Sequence, residues 1–208
     1  PLRETTPYLD KLNEQKAELK YIFITHFHAD FVSGHVDLAK QTGATIVFGP
    51  SAEAEFAFHS GKDNEIFNLG EIQIKLLHTP GHTLESSCYL LSDENKKNYC
   101  VFTGDTLFIG DVGRPDLAVK SHLNQDDLAK LLHQSLVKKI IPLSDDVIIY
   151  PAHGAGSSCG KNMSKETFDT LGHQKKVNYA LNQNLSESDF VKEATCGLNK
   201  PPQYFPEN

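Results

Sequence analysis

The sequence predicts an α/β fold, and three observations carry that prediction. Segments with apolar residues at alternate positions are interleaved with segments in which they recur every three or four residues, the two periods of strand and helix. A hydrophobic share of 39% in 208 residues is enough for one full core, so residues 1–208 are read as a single domain. The histidines and aspartates capable of chemistry fall just after short apolar runs, where a strand fixes direction and the loop beyond it exposes a side chain.

In chain order, Leu9, Leu12 and Leu19 with charges between them predict a helix over about 7–19, opened by Thr6-Pro7. Residues 21–25 read as a buried strand. Residues 34–42 read as a helix stopped by Gly43, and 44–48 as a second strand. Residues 52–58 are expected to be helical. The alternation in 71–76 predicts a half-buried strand, which runs into a Pro80-Gly81 turn. Strands follow at 87–91 and 99–103. Leu128, Leu131, Leu132 and Leu136 form a helical stripe within 126–139. A strand at 147–150 and helices at about 173–182 and 186–194 complete the pattern, with an irregular Pro-rich tail.

The net charge of −7, and lysine pairs that stay isolated, argue against a nucleic-acid binder. No apolar run approaches the roughly 18 residues of a membrane helix, so no membrane partner is expected. Cys88, Cys100, Cys159 and Cys196 show no paired spacing, which suits a reducing, cytoplasmic compartment. Pro1 leads almost at once into a helical pattern, so the chain is read as a fragment or processed product whose first strands are missing.

Four separate segments present ligand-type side chains: His26, His28 and Asp30; His82; Asp105; and His153. A lone loop histidine is usually an ordinary surface residue. Four such segments, each behind an apolar strand and three beside Gly or Pro, point to a metal centre.

In order, Thr25-His26-Phe27-His28-Ala29-Asp30, Pro80-Gly81-His82-Thr83, Thr103-Gly104-Asp105-Thr106 and Pro151-Ala152-His153-Gly154 resemble the metallo-β-lactamase superfamily over almost the whole chain. The resemblance implies an αββα sandwich, here without its first strands, and a metal site at one edge between the sheets. In dinuclear members the first ion takes the residues matching His26, His28, His82 and Asp105. The second takes those matching Asp30, position 31, Asp105 and His153. Position 31 is Phe31, which has no lone pair, so the second site is expected to be one donor short.

Gly104 to Asp116, with its Gly113-Arg114-Pro115 turn, resembles the persulfide dioxygenase branch, as do residues 29–35 and 153–160. The match is to the catalytic domain of bacterial fusions with rhodanese domains. That resemblance implies one Fe(II) per chain, held by His26, His82 and Asp105, a facial triad with open positions for a persulfide substrate and O₂. It implies catalytic roles for His28, Asp30, His153 and Arg114. His28 would orient bound water. Asp30 would accept a hydrogen bond or bind metal directly, and His153 would bond to water or substrate or simply pack. Arg114 would anchor an anionic group of the carrier thiol or brace neighbouring aspartates. Cys159 would carry sulfur or be a small buried residue. A rhodanese domain is an expected partner, and a homo-oligomer is expected. The alternatives are a zinc-dependent, glyoxalase-II-like thioester hydrolase and a catalytically degenerate binding domain.

Overall fold

The computed structural model describes residues 1–27, 30, 32–117, 123–200, 202 and 203; His28 and Phe31 lie outside the described residues. The first half builds a small parallel sheet with helices on its outer face. Helix α1 (Thr6–Gln15) leads to β1 (Tyr21–Phe23), α2 (His35–Thr42), β2 (Thr45–Phe48) and β3 (His59–Ser60), and the three strands pair in that order. A six-stranded sheet follows in simple sequence order: β4 (Ile66–Leu69), β5 (Ile72–His78), β6 (Ser87–Ser92), β7 (Asn98–Gly104), β8 (Ile148–Pro151) and β9 (Asp169–Thr170). All its pairings are antiparallel except β7 with β8. That parallel step needs a crossover, which carries α3 (Gln125–Ser135). Helices α4 (Leu171–Val177) and α5 (Glu187–Thr195) close the chain.

Three apolar clusters fix the layers. Ile22, Leu38, Ile46 and Phe48 join the small sheet to α1 and α2. Val47, Phe67, Ile74, Leu76 and Tyr89 fill the space between the sheets. Leu77, Leu90, Val101, Ile149, Leu132, Leu171 and Phe190 join the large sheet to α3, α4 and α5. The order of layers is helix, sheet, sheet, helix, as the resemblance implied. The Tyr89 hydroxyl crosses between sheets, donating to the Ile24 carbonyl at 2.9 Å with the Val47 carbonyl at 3.3 Å.

The expected helix over 52–58 does not form. Phe56 and Phe58 instead pack on Phe48, with ring centroids 6.2 Å and 5.5 Å from it. Residues two apart lie on nearly opposite sides of a helix, so one cluster takes both only from extended backbone. Helix α1 ends at Gln15, short of the expected 19, because Lys16 turns left-handed and its N–H bonds to the Asn13 carbonyl. Asn124 and Asp127 form a reciprocal capping box that starts α3. Its last turn widens into a π-helical stretch over Leu136–Ile140. The expected 173–182 helix is broken at Asn178, whose buried amide donates to the Phe108 and Asp111 carbonyls. The strands β3, β4 and β9 were not anticipated. Among the described residues, no helix is long and apolar enough to cross a membrane.

Candidate metal centre

Each ligand segment leaves the end of a strand and is then tied to its neighbours. After β1, the Ser87 N–H donates to the Thr25 carbonyl at 2.8 Å, and the Glu85 carboxylate accepts from the Phe27 N–H at 3.0 Å, so the His26 loop is held from both sides. After β7, Gly104 takes φ +54°, and a Cβ there would lie 2.7 Å from the Thr25 side chain. Only glycine lets the Asp105 turn approach the residue that precedes His26. After β5, Thr79 binds Thr106 through their hydroxyls at 2.8 Å, joining the His82 turn to the Asp105 turn. After β8, the Ala152 N–H donates to the Gly104 carbonyl and sets His153 beside Asp105.

The outcome is a buried His–His–Asp set. His82 Nε2 lies 3.4 Å and His26 Nε2 3.7 Å from Asp105 Oδ2, and the imidazoles cross edge to face at 4.9 Å. Metal–ligand bonds of about 2.1 Å imply ligand edges of roughly 3.0–3.5 Å, so small movements close these donors on one ion. His82 Nδ1 is 2.9 Å from the Arg114 carbonyl. A carbonyl only accepts, so Nδ1 carries the proton and Nε2 offers its lone pair toward Asp105. His26 Nδ1 is oriented in turn by the Thr25 hydroxyl at 3.0 Å.

The chemistry of the set fits a metal. Asp105 is 1% exposed, and among the described residues neither of its oxygens accepts an N–H or O–H hydrogen bond. Burial pushes its carboxyl well above the usual carboxylate range, and the negative Asp30 adds to the effect. Burial likewise holds His82 and His153 below the usual imidazole value, as neutral donors. A buried carboxylate without donors is costly, and a cation beside two neutral imidazoles relieves that cost.

Asp30 and His153 join the cluster on its open side. His153 Nε2 is 3.3 Å from Asp30 Oδ2 and 3.5 Å from Asp105 Oδ2, so the imidazole faces carboxylates rather than the core. Their side chains keep 21% and 16% exposure, against 0–4% for Asp105, His26 and His82. Access to the centre therefore passes Asp30 and His153. Cys159 stands nearby, with Sγ 3.9 Å from Asp30 Oδ2; burial and the Asp105 charge push its thiol up to about 12.

The Arg114 side chain is engaged within the protein. Its buried guanidinium forms a two-pronged pair with Asp116 at 2.7 and 2.6 Å and also donates to the Ser158 and Asn199 carbonyls. Its backbone reaches the centre instead. The Arg114 carbonyl holds His82, and its N–H holds the Cys159 carbonyl at 2.9 Å. The preceding Gly113 N–H binds the Asp105 carbonyl at 3.0 Å. The Gly-Arg-Pro turn drew attention in the sequence, but a backbone role leaves no residue-type signal. Asp111 was also missed. Its carboxylate accepts from the Val112, Lys161 and Asn162 N–H groups and pins the loop that carries Cys159.

Comparison with known proteins agrees with the geometry. Residues 2–153 match the metallo-beta-lactamase superfamily. The chain is 34% identical over 182 residues to a protein of Schizosaccharomyces pombe named probable hydroxyacylglutathione hydrolase glo2, covering 88% of this chain and 66% of that one. It is 31% identical over 206 residues to the human mitochondrial persulfide dioxygenase ETHE1, covering 98% of this chain and 72% of that one. A metallo-beta-lactamase crystal structure from Staphylococcus aureus superposes with a TM-score of 0.89 at 32% identity, covering all of this chain and 62% of that one. The chain thus spans just under two thirds of the yeast and staphylococcal proteins. With its family motifs in order, its layered sheets and the donor set at their strand ends, the chain belongs to the metallo-β-lactamase superfamily.

Proposed function

We propose that the chain is the catalytic domain of an iron-dependent persulfide dioxygenase. The reaction is R-SSH + O₂ + H₂O giving R-SH and sulfite with two protons, where R-SH is a low-molecular-weight thiol. The carrying observation is the buried His26–His82–Asp105 set, two imidazoles and one carboxylate, a donor set suited to non-haem Fe(II). Fe(II) bound there supplies electron transfer with O₂, which zinc cannot. Phe31 supports a single ion, because the position that gives dinuclear relatives a histidine here offers no lone pair.

The residues divide the work by burial. His82, fixed by the Arg114 carbonyl, presents Nε2 without competition from a second tautomer. Asp105 brings the negative charge that balances a dication. Asp30 and His153 border the accessible side, where the terminal sulfur of a persulfide would enter. Burial keeps His153 neutral in the metal-free protein, so it can receive a proton at Nε2 or hydrogen-bond the incoming sulfur. Arg114 shapes the centre through its backbone.

The competing reading is a zinc thioester hydrolase, favoured by the 34% identity to the yeast protein named as a hydroxyacylglutathione hydrolase. Elemental analysis of anaerobically purified protein, combined with two assays, separates the readings. About one iron per chain, with O₂ consumed and sulfite released from glutathione persulfide, supports the dioxygenase. Two zinc ions with hydrolysis of a lactoyl-glutathione thioester would overturn it.

A further inference from the structure

The His82 turn hangs on a glycine. Gly81 takes φ +149°, and its missing side chain leaves the backbone there free to take several settings. Helix α3 supplies the constraint from outside. A Cβ on Gly81 would lie 2.4 Å from the Leu132 Cα, so the turn rests directly on the helix backbone. One helical turn further, the Ser135 hydroxyl donates to the Pro80 carbonyl at 2.8 Å. The Pro80–Gly81 peptide is thereby held at both ends, because its N–H donates to the Thr83 carbonyl at 3.0 Å. We propose that Ser135 is a positioning residue of the metal centre: its hydroxyl fixes the one setting of that peptide in which His82 Nε2 faces Asp105.

Ser135 is buried and is the last residue of α3. A serine inside a helix usually bonds the carbonyl four residues back or faces solvent; this one crosses to another segment. The helix changes form at the same point. Leu136–Ile140 is π-helical, with the Ile141 N–H reaching the Leu136 carbonyl five residues back, and such widened turns recur at functional sites. Lys139, within that stretch, pairs with Asp63 at 2.5 Å, and Asp63 in turn accepts from the His78 N–H at 2.9 Å. The helix and its π-helical extension thus hold the His82 segment at the end of β5 and again at Pro80. The Lys139 pair lies at the surface, where solvent screens it, so the constraint falls mainly to the buried Ser135 bond. On the other side, the Arg114 carbonyl fixes the His82 ring through Nδ1 at 2.9 Å. Ring and backbone are therefore held by separate elements, and loss of the Ser135 bond frees the backbone alone.

The inference rests on His82 being a metal ligand and is indifferent to which reaction the centre performs. Co²⁺ loaded into the metal-free protein is the probe, since its visible d–d bands report ligand geometry without any turnover. Ser135→Ala should shift those bands and speed Co²⁺ release to EDTA about fivefold, the worth of one net hydrogen bond. Ser135→Thr, which keeps the hydroxyl, should return both toward the parent. Thr195→Ala deletes a hydroxyl whose bond, to the Val191 carbonyl at 2.7 Å, stays within α5, and should change neither. Parent-like bands and release in Ser135→Ala would overturn the proposal, as would an equal change in Thr195→Ala. Ser135→Cys, of similar shape but a weak donor, takes the place of Ser135→Ala if that variant does not fold, with the same changes expected and the same result overturning. A parent that binds no Co²⁺ would overturn the centre itself, a failure distinct from a parent that binds it and a variant that matches the parent.

Discussion

At Asp105 the folded chain holds a carboxylate that its described neighbours leave without an N–H or O–H donor. Its folded pKa lies above its unfolded value, so between the two the native state binds more protons than the unfolded one. Stability of the metal-free protein therefore falls as pH rises from about 4 through the folded value, and the loss persists above it. His82 and His153 act at the other end: their folded values are lowered, so their contribution is present above about 6.5 and is lost as pH falls. Asp105→Asn should abolish metal retention yet make the metal-free protein more stable at pH 7 by about 1–3 kcal/mol, the cost of an unsatisfied buried group. Metal analysis and thermal melts of the metal-free proteins at pH 5 and 7 check this, with the gain shrinking at pH 5. A metal-free variant no more stable than the parent at pH 7 would show that other groups satisfy the carboxylate. His26, His82 and Asp105 were legible in the sequence because each is a distinctive residue type beside a strand end. The carbonyl of Arg114 was not, since every residue type has one, and Cys159 needed a loop closure that residue order does not reveal.

Among the elements, the turn from Gly113 to Asp116 contributes most to assembling the centre. A Cβ on Gly113 would lie 2.0 Å from the Asp105 carbonyl oxygen and 3.0 Å from His82 Nδ1. Neither can give way without moving a ligand. Gly113→Ala should therefore destabilise the fold by about 1–3 kcal/mol through overpacking and cut metal content steeply, read by urea unfolding and elemental analysis on the same sample. Asp111 offers an independent test on the adjoining loop. Replacing its carboxylate by the Asn amide keeps the volume but weakens three charge-assisted bonds from backbone N–H groups. The expected cost is about 1.5–3 kcal/mol, with faster amide exchange at Lys161 and Asn162. Unchanged exchange there would mean the loop is held by other contacts. Helix and strand assignments came out best where pattern and packing agreed, as in β5 and α3. The stretch 52–58 failed because its Ala and Glu content favours helix locally while Phe56 and Phe58 are drawn into one aromatic cluster. Strand β4 was readable in principle: Gly70, at φ +61°, and Glu71 make the two-residue turn of a hairpin.

Across the whole molecule, the centre exists only while the two sheets keep their relative position. His26 follows the small sheet, whereas His82, Asp105 and His153 follow strands of the large one. Tyr89 is a polar pin between them, its hydroxyl donating to the Ile24 carbonyl two residues before His26. The ring is 2% exposed, and burial raises the phenol far above its usual range, so it remains a neutral donor at any working pH. Tyr89→Phe keeps the ring's packing against Phe23, 4.8 Å between centroids, and removes only the pin. The expected loss is about 1–2 kcal/mol, since the carbonyl is left without its side-chain donor. Unfolding should remain one cooperative transition because the apolar cluster between the sheets is intact. Metal stoichiometry should stay unchanged while release to a chelator quickens, because the His26 loop then moves against the ligands of the other sheet. Equal chelator kinetics in parent and variant would mean that the Ser87 and Glu85 contacts alone fix the loop. A biphasic unfolding curve would mean that the hydroxyl, more than the apolar layer, couples the sheets.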